Sequence, residues 1–148
     1  MQSDSVLKVY CDGGARGNPG SAASAFVVLN QESRVIYEEA KTLGVATNNV
    51  AEYTAVEMAM EWLVRNYSSE VIGEQILIRF LLDSQLVVNQ LNGLFKIKNQ
   101  TLATIAQKIQ NLRRSFFCKV TFEHIRRKKN TLADSLVNKA LDALPISE

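Results

Sequence analysis

The sequence has few of the residues that stabilise small secreted or zinc-bound domains. Among 148 residues there are two cysteines, one histidine, two prolines and one tryptophan. Cys11 and Cys118 are too few for a disulfide framework, and we expect them to be buried thiols of a protein in the reducing cytoplasm. Two cysteines and one histidine, far apart in sequence, cannot supply the four ligands of a structural zinc site. A disulfide scaffold and such a zinc site are therefore excluded.

Long hydrophobic runs are also missing. No apolar run approaches the ~18 residues of a membrane-spanning helix. Residues 1–4 lack the basic flank and the apolar stretch of a signal peptide, so we expect no contact with a membrane. No repeat, low-complexity tract or linker divides the chain. Its 47% hydrophobic and 22% charged residues are typical of globular proteins, and we expect residues 1–148 to form a single domain.

Charge is unevenly distributed along the chain, although the formal net charge is only +2. Residues 1–90 contain 6 basic and 11 acidic side chains, whereas residues 91–148 contain 11 basic and 4 acidic ones. Seven basic residues lie between Arg113 and Lys129, where Glu123 is the one acidic residue. This asymmetry suggests a polyanion bound to one side of the molecule, with a solvated basic surface as the competing interpretation.

The pattern of apolar residues predicts five strands and four helices. Strands are expected at residues 6–12, 22–30, 34–42, 75–82 and 116–123. Helices are expected at 48 to about 66, from 84 to near 92, at 101–113, and from a cap at Asn130 to about 144. The first three strands should form an antiparallel meander, and the helical crossovers that follow require parallel strands. The predicted fold is an α/β domain with a mixed five-stranded sheet flanked by helices.

Two carboxylates in the first half of the chain are not explained by core packing. Asp12 closes the first predicted strand, and the glycines that follow it are typical of a tight turn with positive φ. Glu52 is expected in the first turn of its helix, at the head of an apolar stripe formed by residues 56, 59 and 63. It can point toward the sheet, or it can be an N-terminal carboxylate that the helix dipole favours.

Two more carboxylates occupy comparable positions in the second half. Asp83 ends the most apolar predicted strand, where open α/β sheets bind ligands, although it could instead cap the next helix. Asp134 lies one turn into the last helix, where a surface acid favoured by the dipole is the competing interpretation. Four carboxylates converging at one sheet edge would repel one another unless cations neutralised them. Mg²⁺ prefers such oxygens, and two ions ~3.5–4 Å apart can promote hydrolysis of a phosphodiester.

Four short motifs resemble those of type 1 ribonuclease H, in its compact form. They are DGGARGNPG at residues 12–20, TNNVAE at 47–52, DSQ at 83–85 and AD at 133–134. Each is weak alone, but the four occur in the family's order and carry its four carboxylates over nearly the whole chain. The resemblance implies the ribonuclease H-like fold and a two-metal endonuclease that uses Mg²⁺, for which Mn²⁺ can substitute.

The resemblance also implies roles for individual residues. The metal-binding catalytic acids would be Asp12, Glu52, Asp83 and Asp134. His124, expected on a loop, would assist product release or proton transfer. Contacts to the substrate would come from Asn18, Thr47, Asn48, Asn49, Gln85 and Asn99. Among these, Asn18, Asn49 and Gln85 would meet bases and 2′-hydroxyls, whereas Thr47 and Asn99 would bind a phosphate of the DNA strand.

The sequence departs from many relatives in two regions. A basic helical protrusion with tryptophans is replaced by the short segment 92–98, in which Phe95 is predicted to stack on bases, with Lys96 and Lys98 on phosphates. The segment after His124 is more basic than the His-x-Pro-Arg-Glu that compact relatives often carry. The 148 residues include no added hybrid-binding domain, so we do not expect tight, processive binding.

The sequence therefore predicts a metal-dependent endoribonuclease that cuts the RNA strand of RNA–DNA hybrids and leaves 5′-phosphate and 3′-hydroxyl ends. Double-stranded RNA is a further candidate substrate, and we expect a monomer. A catalytically silent nucleic-acid-binding module on the same fold is the alternative, although pure binding would not need acidic residues facing a polyanion. A phosphate-loop nucleotide enzyme built on residues 13–20 is disfavoured, because the Gly-Lys-Ser/Thr element is missing.

Overall fold

A computed structural model describes residues 5–67, 76–116 and 118–145. Within these ranges the strands are β1 (Ser5–Gly17), β2 (Gly20–Leu29), β3 (Val35–Ala46), β4 (Ile76–Leu82) and β5 (Lys119–His124). The helices are α1 (Asn48–Asn66), α2 (Gln85–Leu91), α3 (Gln100–Arg113) and α4 (Thr131–Asp142), and a 3₁₀ turn spans Arg127–Lys129. No helix in the described part of the chain combines the length and the apolarity needed to cross a membrane.

The five strands form one mixed sheet in the order β3-β2-β1-β4-β5. Strands β1, β2 and β3 pair antiparallel through short turns, whereas β1 pairs parallel with β4 and β4 with β5. This arrangement confirms the predicted sheet. Parallel neighbouring strands need a long crossover connection. Helix α1 lies in the chain before β4, and helices α2 and α3 lie between β4 and β5.

Helices cover both faces of the sheet. On one face, α1 packs against β1 and β2, and α3 packs against α1. The main core lies there, with Val9 and Phe80 of the sheet against Tyr53 and Leu63 of α1. On the other face, α4 packs across β2, β1 and β3. Both helical layers therefore meet the sheet around β1 and β2, beside the place where β1 pairs with β4.

The first strand is longer than predicted. Its pairing with β4 ends at Cys11 and Leu82, but its pairing with β2 continues through Gly17. Asp12 therefore lies inside β1 rather than at its end, and the predicted turn directly after Asp12 is wrong. The turn comes later, where Gly17 has a φ of 93° that glycine adopts without strain.

Other boundaries differ by a few residues. Strand β3 extends to Ala46 rather than residue 42, and β5 begins at Lys119 rather than residue 116. The last helix ends at Asp142 rather than about residue 144. Residue 75, where the fourth strand was expected to begin, lies outside the described residues.

Candidate active site

Parallel pairing brings Asp12 and Asp83 side by side. The pairing of β1 with β4 ends at Cys11 and Leu82, and each aspartate is the next residue of its chain segment. Asp83 does not cap α2, because the cap is Ser84, whose hydroxyl accepts a hydrogen bond from the Val87 N–H at 3.3 Å. The capping alternative for Asp83 is therefore wrong, and its carboxylate is available to the site.

Glu52 reaches this edge because α1 lies unusually close to β1. A Cβ on Gly13 would come within 2.2 Å of the Ala51 carbonyl carbon, so only glycine permits this approach. From the neighbouring strand, the buried Ser24 hydroxyl donates to the Ala51 carbonyl oxygen at 2.6 Å. Glu52 is the fifth residue of α1, beyond the first turn in which it was predicted. Its position thus comes from helix-to-strand packing rather than from the helix dipole.

Three of the four predicted acids form a compact group, called here the acidic cluster: Asp12, Glu52 and Asp83. Each offers a carboxylate oxygen, and these oxygens all lie within 4.8 Å of one another. Asp12 and Glu52 are only 6% and 7% exposed, whereas Asp83 is half-buried. Simultaneous ionisation of all three acids is unfavourable, because their charges would lie close together and largely shielded from water.

The proton affinities of the cluster reflect this crowding. Burial, followed by the charges of Asp83 and Asp134, raises the pKa of Asp12 to about 7. Burial, followed by the charges of Asp12 and Asp83, raises the pKa of Glu52 to about 9. The cluster therefore holds protons that exposed carboxyls would have lost at neutral pH.

Asp134 faces the same cavity from the first turn of α4. The cavity has a volume of about 560 Å³ and is lined by all four acids. Asp134 lies outside the 4.8 Å group, and its side chain accepts a hydrogen bond from the Asn138 amide at 3.3 Å. All four predicted carboxylates therefore line one cavity. Three of them form the acidic cluster, and Asp134 lies outside that group in the same lining.

Arg127 is a cation beside the acidic cluster that the sequence analysis did not single out from its basic neighbours. It lies in the 3₁₀ turn and lines the same cavity. Its charge acts to lower the pKa of Asp12 and of Glu52, but burial outweighs this effect in both cases. One exposed arginine does not neutralise the cluster.

The donor set fits divalent cations. Carboxylate oxygens are the ligands that Mg²⁺ prefers, and it binds few protein groups while keeping several waters. Asp12 and Glu52, which are buried and have raised pKa values, gain stability when a cation takes the place of their protons. Asp12, Glu52 and Asp83 are therefore the residues that would hold such an ion, and Asp134 is placed to assist.

Asn48 and Asn18 join the head of α1 to the turn between β1 and β2. The Asn48 Oδ1 accepts from the Ala15 N–H at 2.8 Å, and the Asn18 Oδ1 accepts from the Asn48 N–H at 3.0 Å. The oxygen of each amide is thus engaged inside the protein. The NH₂ group is the part that each side chain can offer to a ligand. Asn48 and Asn49 line the acidic cavity, whereas Asn18 does not.

The other predicted substrate contacts lie at helix starts outside the lining of this cavity. Thr47 caps α1 by accepting from the Val50 N–H at 3.2 Å. Asn99 caps α3 by accepting from the Leu102 N–H at 3.0 Å. Gln85 is the exposed first residue of α2. Their contact with a substrate stays a prediction.

His124 is the last residue of β5, not a loop residue as expected. It pairs level with Leu82, so it lies at the same sheet edge as Asp83, one strand further out. It is exposed, and it lines a groove of about 350 Å³ with Ile125 and three basic side chains, Arg126, Lys128 and Lys129. A cationic groove thus adjoins the acidic cavity.

The basic residues predicted to act together are divided by the fold. Arg126–Lys129 follow the end of β5 near the acidic cavity. Arg113 and Arg114 precede β5, and Lys119 begins it. Lys119 and His124 are the two ends of β5, five residue steps apart, which corresponds to about 17 Å at ~3.3 Å per step. Of the two groups, Arg126–Lys129 is the one that adjoins the acidic cavity, through Arg127.

The segment that replaces the helical protrusion of many relatives contains no helix between Gly93 and Asn99. Phe95 is 52% exposed and Lys96 and Lys98 are exposed, so they are accessible to a ligand. Their predicted contacts with bases and phosphates stay predictions.

Asn130 occupies the predicted cap position of α4, but its side chain does not cap the helix. It is completely buried and turns toward the strands instead. Neither this role nor that of Ser24 was found by sequence reasoning. A signal existed for Ser24, since small residues at 21–25 predict close approach by neighbouring elements.

Comparisons with known proteins agree with this geometry. A family model described as reverse transcriptase-like matches residues 10–140. The bifunctional protein Rv2228c of Mycobacterium tuberculosis is 38% identical over 136 residues, which are 91% of this chain and 35% of that protein. Ribonuclease HI of Halobacterium salinarum is 35% identical over 136 residues, which are 92% of this chain and 64% of that protein. The chain thus spans about a third of the mycobacterial protein and just under two thirds of the haloarchaeal one.

Solved structures show the same likeness. The crystal structure of RNase H1 from Halobacterium salinarum matches with a TM-score of 0.84 and 33% identity, covering 94% of this chain and 99% of that one. LC11-RNase H1, solved in complex with an RNA/DNA hybrid, matches with a TM-score of 0.83 and 37% identity, covering 92% and 96%. With the family match and these relatives, the chain belongs to the reverse transcriptase-like family and to the type 1 ribonucleases H.

Proposed function

We propose that this chain hydrolyses the RNA strand of RNA–DNA hybrids. The observation that carries the proposal is the acidic cluster: three carboxylates whose oxygens lie within 4.8 Å of one another, where the parallel pairing of β1 with β4 ends and α1 packs against β1. The cationic groove beside it supplies the charge needed to hold a nucleic-acid backbone near these acids. The fold relative LC11-RNase H1, solved with an RNA/DNA hybrid, supports the same substrate class.

Metal ions are part of the proposal. Asp12, Glu52 and Asp83 would hold Mg²⁺ together with Asp134, and Mn²⁺ could substitute. When bound, two such ions supply activation of a water and stabilisation of the leaving oxygen of the phosphodiester. The chain's own contribution is to fix the carboxylates before the substrate arrives, because the strand ends and α1 are held by backbone packing.

The reaction adds water across one phosphodiester bond. The water oxygen bonds to phosphorus, the bond from phosphorus to the 3′ oxygen breaks, and that oxygen gains a proton. The products are a 5′-phosphate and a 3′-hydroxyl end. His124, exposed at the edge of the groove, is placed to transfer a proton or to help the product leave.

Recognition of RNA is assigned to the amides around the acids. Asn49 lies at the start of α1, Gln85 at the start of α2, and Asn18 in the turn after β1. The 2′-hydroxyl accepts hydrogen bonds, and the NH₂ groups of these side chains can donate them. Such contacts on successive nucleotides would set the register of the phosphate at the acidic cluster. All four acids come from one chain, so we propose that a monomer is sufficient.

The test is Mg²⁺-dependent cleavage of end-labelled duplexes by the purified chain. An RNA–DNA hybrid is compared with single-stranded RNA and double-stranded RNA of the same sequence. We expect the hybrid's RNA strand to be cut with the stated ends and its DNA strand to stay intact. Binding of the hybrid without cleavage would favour the silent binding module, and preference for double-stranded RNA would change the assigned substrate.

A second series tests the recognition scheme. DNA duplexes carry one, two, three or four consecutive ribonucleotides in one strand. Contacts from several amides require several 2′-hydroxyls, so efficient cleavage should need a short run of ribonucleotides. Efficient cleavage at a single ribonucleotide would contradict the scheme.

A further inference from the structure

Asn130 links three of the four segments that carry the acids. Its Nδ2 donates to the Cys11 carbonyl oxygen at 2.9 Å and to the Asp83 Oδ2 at 3.1 Å. Its backbone carbonyl oxygen accepts from the Asp134 N–H at 3.1 Å. The side chain is completely buried. One residue thus touches the neighbour of Asp12, the carboxylate of Asp83 and the backbone of Asp134.

The chemistry of the two contacts requires an amide. Both partners of the side chain are hydrogen-bond acceptors, and one NH₂ group has a hydrogen for each. The Asn130 Oδ1 is buried and has no hydrogen-bond partner among the described residues. With nitrogen and oxygen exchanged, that oxygen would face two other acceptors, so the amide orientation is fixed by its neighbours.

The position shows that helix capping is not the purpose of this side chain. Asparagine is among the best N-cap residues because its oxygen accepts from N–H groups of the first turn. At the start of α4 this bond is not made. The residue leaves a buried oxygen unsatisfied while its nitrogen holds two segments of the site. Buried polar groups that break a local rule in this way are concentrated at functional positions.

We propose that Asn130 is a positioning residue that fixes the Asp83 carboxylate for metal binding. This inference rests on the proposed function, because it assumes that the acids hold Mg²⁺. Groups that hydrogen-bond to metal-binding carboxylates orient them, and their loss typically reduces metal affinity or activity by about 10–100-fold. Asn130 has this relation to Asp83, and it ties the carboxylate to β1 at the residue before Asp12.

The test uses Asn130→Ser and Asn130→Gly, since Ser and Gly are both accepted at the N-cap position. Serine keeps one donor and glycine keeps none. Asn66→Ser is the matched control, because the exposed Asn66 amide also donates a hydrogen bond, to the Trp62 carbonyl oxygen at 2.8 Å, but lies at the opposite end of α1 from Glu52. The first readout is the rise in Tm with increasing Mg²⁺, which needs no cleavage. The second is the dependence of hybrid cleavage on Mg²⁺, with kcat and KM for the hybrid.

We expect the half-saturating Mg²⁺ concentration to rise about 10–100-fold in both readouts, more for the Gly variant than for the Ser variant. KM for the hybrid at saturating Mg²⁺ should change little, and Asn66→Ser should behave like the wild type. Unchanged Mg²⁺ half-saturation in folded Asn130 variants would overturn the assignment. Failure of both variants to fold would also overturn it, because Asn130 would then serve the fold rather than the site.

The outcomes separate this proposal from the proposed function. A wild-type chain that Mg²⁺ stabilises but that cuts no hybrid would contradict the function, while the thermal readout would still test Asn130. A wild-type chain that cuts hybrids, with Asn130 variants of normal Mg²⁺ dependence, would leave the function standing and remove the role of Asn130.

Discussion

The acidic cluster and the basic segment Arg126–Lys129 lie at the same edge of the sheet but are built in opposite ways. Two of the three acids are buried, and their backbone positions are fixed by strand pairing and by the packing of α1 on β1. The four basic side chains are exposed. Within the described residues none of them forms a side-chain hydrogen bond, and the segment is held by backbone bonds such as Lys129 N–H to the Arg126 carbonyl at 2.8 Å.

The acidic cluster and the basic segment are therefore expected to have different electrostatic roles. Buried like charges are costly because water and salt screen them poorly, and they can share a metal ion only from fixed positions. The loss of one acid should therefore stop the chemistry. Exposed charges interact with a polyanion through screened, roughly additive contacts, so each should change affinity by a small amount. The acidic cluster is therefore expected to control rate, and the basic segment is expected to control binding.

The largest effect should come from Asp12→Asn or Asp83→Asn. Hybrid cleavage should fall by at least about 10³-fold, since loss of one electrostatic stabiliser of a transition state already costs about 10²–10³. Neutralising one acid relieves repulsion, so Tm without metal should stay the same or rise. The exposed Asp142→Asn is the matched control, and single-turnover cleavage with a melting curve checks each variant. Near wild-type cleavage by a folded Asp12→Asn protein would contradict the claim that the acidic cluster controls the rate of cleavage.

A second large effect should follow from adding a side-chain atom where the backbones of α1 and β1 are in close contact. In Gly13→Ala the new Cβ meets the Ala51 backbone, so the free energy of unfolding should fall by about 1–3 kcal/mol, and cleavage should fall with displacement of Glu52. Gly14→Ala is the control, because its Cβ would lie 3.8 Å from the Val137 Cγ1, an ordinary contact. Denaturant unfolding and cleavage assays measure both. Equal behaviour of the two variants would mean that the close approach does not position Glu52.

The pH dependence of stability tests the burial of the acids directly. The pKa values of Asp12 and Glu52 are raised in the folded state, from 3.8 to about 7 and from 4.5 to about 9. The folded chain then binds more protons than the unfolded chain, so stability is full below about pH 4 and is lost as pH rises through these values. The free energy of unfolding of the metal-free protein should therefore fall as pH rises from about 4 to about 9.

This dependence should appear in metal-free protein and should be smaller in Glu52→Gln. Mg²⁺ should restore more stability at pH 9 than at pH 6, since it binds the deprotonated carboxylates. Urea unfolding in the presence of a chelator, at several pH values, gives the curve. Stability that is constant between pH 5 and pH 9 without metal would mean that the acids are not crowded in solution.

The smallest effect per residue is expected in the basic segment. Replacing Arg126, Lys128 and Lys129 with Ala should reduce the slope of log K against log salt for hybrid binding by about 0.7–0.9 for each lost phosphate contact. Cleavage at saturating substrate should change little. The variant that replaces Arg113, Arg114 and Lys119 removes the same charge at the other end of β5 and is the matched control. Equal slopes for the two variants would indicate that only net charge matters.

The sequence by itself determined the class of fold and the identity of the acids. Alternation, apolar runs and helical spacing are local properties, so strands, helices and their order followed from them, and α1 was predicted at its observed bounds. Four motifs in order identified Asp12, Glu52, Asp83 and Asp134, and these line one cavity. Local patterns suffice for such inferences because secondary structure and short motifs depend on neighbouring residues.

Only the tertiary structure decided how the acids are held. The glycine after Asp12 looked like a turn residue, but Gly13 is needed because another element passes within van der Waals contact of its backbone. Asn130 looked like a helix cap, but its amide serves acceptors 119 and 47 residues away in the chain. The basic stretch looked continuous, but β5 divides it between opposite ends of a strand. Contacts between residues far apart in the chain leave no local sequence pattern, so only the folded structure shows them.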